Sequence, residues 1–296
     1  MTSSFYAAAR SPDVDGWTVS IDPTNAEWTY SSLRVATLAP GTSMTFSTGE
    51  SEWIVLPLAG SFVVTCGNKT FELEGRHSVF SRVSDFCYVP RDAEVTVASA
   101  GGGRVAFPGA KADRVLPARY GAASDVPVEI RGAGSSTRQC NNFAAPGAFE
   151  TDRLISVEVV TPGGNWSSYP PHKHDELGPH EAVLEEIYYF EVTSGVGATR
   201  PGPGGYQRVY SKDAARPIDV LEEVWSGDTI IIPHGYHGPT MASPNHDLYF
   251  LNVLAGPGPE RTMNFCDDPD HAWIRSTWES EPIDPRLPMT SAKGIV

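Results

Sequence analysis

From Ser31 onward the chain is written in short apolar runs broken by turn residues, and its first half carries no 3.6-residue repeat. The runs fall at 33–38, 43–47, 53–58, 61–65, 69–73, 78–80, 86–89, 94–98 and 104–107, with Gly, Pro and Asn between them. Even spacing of this kind predicts strands joined by tight turns, hence an all-β sandwich or barrel. A small, polar, Gly-rich connector follows at 111–153, with one extended piece expected near 139–143. The strand pattern resumes at 154–161, 166–170, 186–192, 206–210, 220–224, 229–232, 237–241 and 248–254. The expected organisation is an N-terminal arm with short strand pieces at 1–29, a β unit at 30–110, the connector, a second β unit at 154–256 and a polar tail at 257–296. The Gly/Pro tract at 194–205 reads as a long loop, and Trp273 and Trp278 as tail residues tucked onto the second unit.

The two units echo each other. Phe86-Cys87-Tyr88-Val89-Pro90 runs into Arg91-Asp92-Ala93-Glu94 as Ile230-Ile231-Ile232-Pro233 runs into His234-Gly235-Tyr236-His237. Aligned on the proline, Glu94 stands where His237 stands. Met44-Thr45-Phe46 lies in the region where the second unit has His172-Lys173-His174. The first unit is therefore expected to keep the scaffold without metal ligands.

Composition narrows the partners. The formal net charge of −14 disfavours nucleic acid, whose phosphates need clustered Lys and Arg, but leaves room for a small anionic substrate held by a few local cations. Cys66, Cys87, Cys140 and Cys266 are scattered without a CxxC pair, which suits core or surface thiols in a reducing compartment. No run of 18 apolar residues suggests a membrane span, and the first residues do not resemble a signal peptide. A cytoplasmic protein is expected. Exposed sheet edges make a homo-oligomer plausible.

The chemistry concentrates in the second unit. His172 and His174 are two apart, so on an extended strand both leave one face. Lys173 between them should point away, to the surface or an edge. Glu185-Glu186 opens the buried run Ile187-Tyr188-Tyr189-Phe190, and alternation turns one carboxylate inward and the other outward. His237 follows the turn Pro233-His234-Gly235-Tyr236. Three imidazoles and one of these carboxylates can close on a divalent ion and leave positions open for substrate. Around them, Arg208 shares a strand face with Tyr206 and Tyr210 and is the candidate for holding a carboxylate. Tyr188, Tyr249 and His234 are candidates for touching substrate. Arg138 and Gln139 lie in the connector within possible reach of the second unit.

The pattern His-x-His, then Glu, then a late His after a Pro/Gly turn resembles that of the cupins. The longer runs TPGGNWSSYPPHKHD, LEEIYYF, QRVYS, PHGYH, DLYFLNVLAGP, RGAGSSTRQCNN and the segment Gly75–Phe80 resemble the 5-deoxy-glucuronate isomerase family of bacterial myo-inositol catabolism over most of the chain. The related 5-keto-4-deoxyuronate isomerase shares the metal pattern. The resemblance implies a bicupin of two β-barrels with one divalent metal ion (zinc, manganese or iron) in the second, held by His172, His174, Glu186 and His237. It implies conversion of 5-deoxy-D-glucuronate to 2-deoxy-5-keto-D-gluconate, an aldose–ketose isomerisation. Two departures stand out. Eleven residues, 175–185, separate the His pair from Glu186, which leaves Glu185 open as the ligand instead, and the Pro/Gly turn before His237 is one residue short of the usual cupin spacing.

An aldose–ketose isomerase needs a Lewis acid for the developing oxyanion and a base near C2. Glu185, if it is not turned outward, is the candidate base; otherwise a metal-bound hydroxide or Tyr188 would serve. The same donor set also serves cupin dioxygenases, and a non-catalytic sugar-acid-binding bicupin is the third reading.

Overall fold

A computed structural model describes residues 5–8, 16–194 and 204–296; the expected loop at 194–205 and much of the N-terminal arm lie largely outside them. Among the described residues, helix is limited to three short 3-10 segments, Ala123–Asp125, Gly134–Ser136 and Ala272–Thr277. Everything else that is regular is antiparallel strand.

The first unit is a nine-stranded sheet organised by one strand, Ser51–Cys66, which pairs with Lys69–Arg76, Phe86–Val89, Glu94–Ser99 and Gly103–Lys111. A single strand can serve four partners because it bends. The register slips between Pro57 and Ala59 and again between Gly60 and Phe62. Glycine permits the bend: a Cβ on Gly75 would stand 2.0 Å from the Gly60 carbonyl oxygen, and one on Gly103 2.2 Å from that of Ala59.

The second unit stacks two sheets. The larger runs in the order Tyr6–Ala7, Thr229–Ile232, Glu185–Val192, Leu248–Ala255, Ile155–Thr161, Arg138–Ala144, Val128–Arg131. The smaller runs Asp219–Val224, Gly205–Tyr210, Tyr236–Ala242, His172–Lys173, Cys266–Asp267, with Trp166–Ser167 beside Tyr236–Ala242. The hydrogen-bonded sheets stay open instead of closing into continuous barrels.

Cores follow alternation. Tyr188, Phe190, Phe250, Val157 and Val209 point between the two sheets of the second unit. Their neighbours Ile187, Tyr189, Tyr249, Leu251 and Val253 point the other way and share a core with Ile54, Leu56, Phe86 and Tyr88 of the first unit. Each fully buried aromatic of this size contributes about 1.5–3 kcal/mol. The centre of the large sheet is thus apolar on both faces, which is why Glu185–Val192 and Leu248–Ala255 read as near-continuous hydrophobic runs.

Two sequence expectations change, for the connector and the tail, while the arm supplies short strand pieces as expected. The segment at 111–153 is more than a connector, because Val128–Arg131 and Arg138–Ala144 are strands of the large sheet. Their polarity masked their burial: Gln139 donates to Asn141 Oδ1 at 2.8 Å and to the Thr290 carbonyl at 2.9 Å, and Asn141 donates to Glu158 at 3.1 Å. The arm contributes Tyr6–Ala7 to the second unit, paired with Thr229–Ile232. The tail adds Cys266–Asp267 to the small sheet beside His172–Lys173; Trp278 packs inward from it, whereas Trp273 is exposed. No helix among the described residues is long and apolar enough to cross a membrane.

Candidate metal centre and its cavity

Glu186 and His237 arrive from two strands, and His174 from the link between His172–Lys173 and Asp175–Gly178. Glu186 sits on the inward face of Glu185–Val192 with Tyr188 and Phe190. His237 lies on Tyr236–Ala242, and His172 pairs with it in the backbone register. All three are buried, and their donor atoms lie within 4.8 Å of one another. Glu186 Oε2 is 3.0 Å from His174 Nε2 and 3.0 Å from His237 Nε2.

Tautomers sharpen this geometry. His174 Nδ1 faces the Leu184 carbonyl at 3.1 Å, His237 Nδ1 that of Gly235 at 3.4 Å, and His172 Nδ1 that of Pro170 at 3.4 Å. A carbonyl only accepts, so each Nδ1 carries the proton and each neutral ring turns its Nε2 lone pair away from that carbonyl. Two such lone pairs beside one carboxylate oxygen repel unless a positive charge lies among them. Protonation is one source and a divalent cation the other. His237 Nε2 is buried and has no hydrogen-bond partner among the described residues, as expected of an atom placed for coordination. The donor set fits a divalent ion.

The charges respond accordingly. Burial opposes ionisation of Glu186, but the His237 charge and the bond from His174 outweigh it and hold its pKa at about 2. Burial likewise works against a charged His174, and the contact with Glu186 reverses that, raising its pKa. For His172 burial prevails, reinforced by His237 and His174, and its pKa falls well below the usual value. His172 sits at the edge of the cluster. Its ring packs 4.4 Å from that of His237 and 4.7 Å from Phe265, and its nitrogens fall outside the converging trio.

The cluster opens on a cavity of about 510 Å³, whose walls come from both sheets, the Arg131–Arg138 loop and the tail. Tyr188 lines it, with its hydroxyl 3.1 Å from Ser168 Oγ. Burial, then the Glu186 charge, pushes the Tyr188 pKa far up, so this phenol remains protonated.

Four candidates lie elsewhere, each for a reason of alternation or turn geometry. Glu185 is turned outward and accepts hydrogen bonds from the Thr29, Tyr30 and Ser31 amides at 2.7, 2.7 and 2.8 Å, tying the second unit to the first. It is not a base in this cavity. Tyr249 also faces the first unit, and its hydroxyl donates to Glu158 at 2.8 Å beside the buried Arg76–Glu158 ion pair. Arg208 is on the outer face of its strand because Gln207 and Val209 take the inner one; it pairs with Asp219 and packs over Tyr210. His234 does not line the cavity; it lies near Arg216 and Asp175, and burial and then the Arg216 charge lower its pKa.

Lys173 does point away from the metal face, but to a buried place. The insertion folds into a hairpin, Asp175–Gly178 with Glu181–Val183, whose carboxylates Asp175, Glu176 and Glu181 take the ammonium at 2.9, 2.9 and 2.7 Å. Sequence reasoning missed Arg131, Arg275, Asn252 and Trp278, which line the cavity. Arg131 and Arg275 carried a detectable signal, as cations in a chain of strong negative charge. Asn252 and Trp278 carried none.

Comparison with known proteins bears on the same residues. A protein from Geobacillus kaustophilus (strain HTA426) named 5-deoxy-glucuronate isomerase is 39% identical over 275 residues, 92% of this chain and 95% of that protein. The crystal structure of an IolB-like protein from Salmonella typhimurium LT2 superposes with a TM-score of 0.83 at 31% identity, covering 92% of this chain and 100% of that one. Oxalate decarboxylase from Lactobacillus farciminis, in a formate complex, shares the cupin fold with a TM-score of 0.60 at 11% identity over 95% of this chain and 97% of its own. The paired units are thus a bicupin. The KduI/IolB pattern matches residues 5–274, nearly the whole of both units and the donor cluster between the sheets, and the chain belongs to the KduI/IolB family.

Proposed function

We infer that this chain is a 5-deoxy-glucuronate isomerase, converting 5-deoxy-D-glucuronate to 2-deoxy-5-keto-D-gluconate in myo-inositol catabolism. The observation that carries the reading is the convergence of His174, Glu186 and His237, the first two of which line a cavity, in a chain 39% identical to a protein of that name. His172, at the edge of the cluster, would be the fourth ligand. Neutral imidazoles and one carboxylate suit zinc, manganese or iron. When bound, the ion supplies Lewis-acid stabilisation for negative charge developing on neighbouring substrate oxygens.

The protein's own groups do the rest. Glu186 would balance the cation, while the Leu184 carbonyl orients His174 by accepting its Nδ1–H at 3.1 Å. Tyr188, held protonated by burial, donates its hydroxyl proton toward a substrate oxygen while Ser168 fixes its direction. Phe250, Leu254 and Met263 dry the cavity wall and strengthen these polar contacts. A dioxygenase would use similar donors, but the likeness to other cupin chemistries extends to the fold alone. A metal-free binding protein would leave two lone pairs facing one carboxylate.

The test is turnover of 5-deoxy-D-glucuronate followed by NMR, before and after chelation. Loss on chelation and recovery with a divalent ion are expected; chelator-resistant turnover contradicts the metal reading. In deuterated water, deuterium on the product's hydroxymethyl carbon, which was C1 of the substrate, marks proton transfer through an enediolate, and its absence argues against exchange with solvent on that route.

A further inference from the structure

Three arginines line the cavity, and two are already neutralised. Arg131 holds Glu129 at 2.8 Å, and Arg275 binds both oxygens of Asp267, one of them at 2.8 Å. Arg138 forms no ion pair among the described residues. Its protein hydrogen bond goes to the Ser136 carbonyl, at 3.0 Å. Glu129 feels its field but is committed to Arg131 and Asn142. Burial lowers the Arg138 pKa, and the nearby charges of Arg131 and Arg275 add to this. A guanidinium nonetheless stays charged. A desolvated cation without a counter-ion is costly, and an anionic ligand would offset that cost.

A second observation lies beside it. The Trp278 indole N–H is buried without an acceptor among the described residues, and its ring centroid is 5.9 Å from the Arg138 guanidinium carbon. A cation without a counter-ion and a donor without an acceptor therefore sit together at one cavity. The loop before Arg138 is shaped to its side chain: Gly132 has φ of +77°, and a Cβ there would stand 2.9 Å from Arg138 Nη1.

We propose that Arg138, with the Trp278 N–H beside it, anchors the substrate carboxylate and selects sugar acids over neutral sugars. The proposal rests on the isomerase reading above and deepens it. A uronate carries its carboxylate at the opposite end from the carbonyl and hydroxyl that exchange. Arg138 at one wall and the His174–Glu186–His237 cluster at another would hold the molecule by both ends. The planar fork of arginine suits a carboxylate better than a lysine would.

The experiment compares the metal-loaded wild type with Arg138→Met and Arg138→Lys. Each is assayed on 5-deoxy-D-glucuronate and on 5-deoxy-D-glucose, in which a hydroxymethyl group replaces the carboxylate. Metal content and Tm are measured alongside. Arg138→Met is expected to raise KM for the acid by about 10- to 100-fold, the worth of a charge-assisted hydrogen bond, and to lower acid-over-neutral selectivity equally. Arg138→Lys falls between. Tm holds or rises, because a partly buried cation without a counter-ion has gone. An unchanged KM in an active Arg138→Met enzyme overturns the anchor. So does an equal loss on both substrates with a lowered Tm, which is the mark of a structural role. Failure of the metal-loaded wild type to convert the acid overturns the isomerase reading, and the anchor with it.

Discussion

The interior of the first unit is filled by Trp17, Phe46, Trp53 and Phe107, packed edge to face with centroids 5.2–6.2 Å apart. The interior of the second holds imidazoles, a carboxylate and a cavity of about 510 Å³. The proline-aligned counterpart of the buried His237 is Glu94, which is exposed in the first unit. Both groups that can hold a metal ion by geometry, among the described residues, are in the second unit, and one of them is already neutralised by Lys173. One scaffold thus tolerates opposite interiors, because the backbone ladders satisfy themselves whichever side chains point inward. The dense unit stabilises. The hollow one gives up packing for coordination chemistry, and the shared core between them couples the two.

Removing a donor breaks the comparison hardest. Glu186→Gln should lower kcat/KM by about 10³-fold, several kcal/mol of lost electrostatic stabilisation, and reduce metal content, with the β fold retained by circular dichroism. Metal-replete Glu186→Gln with normal turnover would mean the two interiors differ in packing alone. The mirror experiment is Trp53→Ala in the filled interior. It should cost about 3–5 kcal/mol in denaturant unfolding while kcat of the folded enzyme stays at the wild-type level.

Smaller effects belong to the seam between the units. Glu185→Gln removes the charge that three backbone amides share, and should cost about 1–2 kcal/mol of stability with kcat unchanged. Tyr249→Phe should cost about 1 kcal/mol, since it removes one hydrogen bond to Glu158, again without a change in KM. A fall in kcat for either variant would return that residue to the catalytic machinery. Smallest of all, Arg208→Ala should leave KM and Tm unchanged, because its ion pair with Asp219 is on the surface.

Much of the fold was legible in the chain. Short apolar runs between Gly, Pro and Asn announce strands, and most of them appear where expected. The strands at 128–131 and 138–144 were hidden because Gln139 and Asn141 are buried by mutual hydrogen bonding, which hydropathy cannot register. The residues that could hold a metal ion, His174, Glu186 and His237, were legible as candidates because spacing along a strand is a local property. The substrate side was not: Arg208 has the expected chemistry on the wrong face, while Arg138 has it in what reads as a connector.

Alternation along a strand follows from bond geometry, so the chain alone dictated that one of Glu185 and Glu186 faces inward and that His172 and His174 share a side. Which of the two glutamates that would be depended on the partner strands. Leu248–Ala255 on one side and Thr229–Ile232 on the other set the pleat, and the first unit supplied amides for the carboxylate left outside. Likewise no local rule brings a tail tryptophan and a connector arginine to one cavity. Residues 138 and 278 meet because the sheet and the tail close over the same space, and proximity of that kind is a property of packing, not of spacing along the chain.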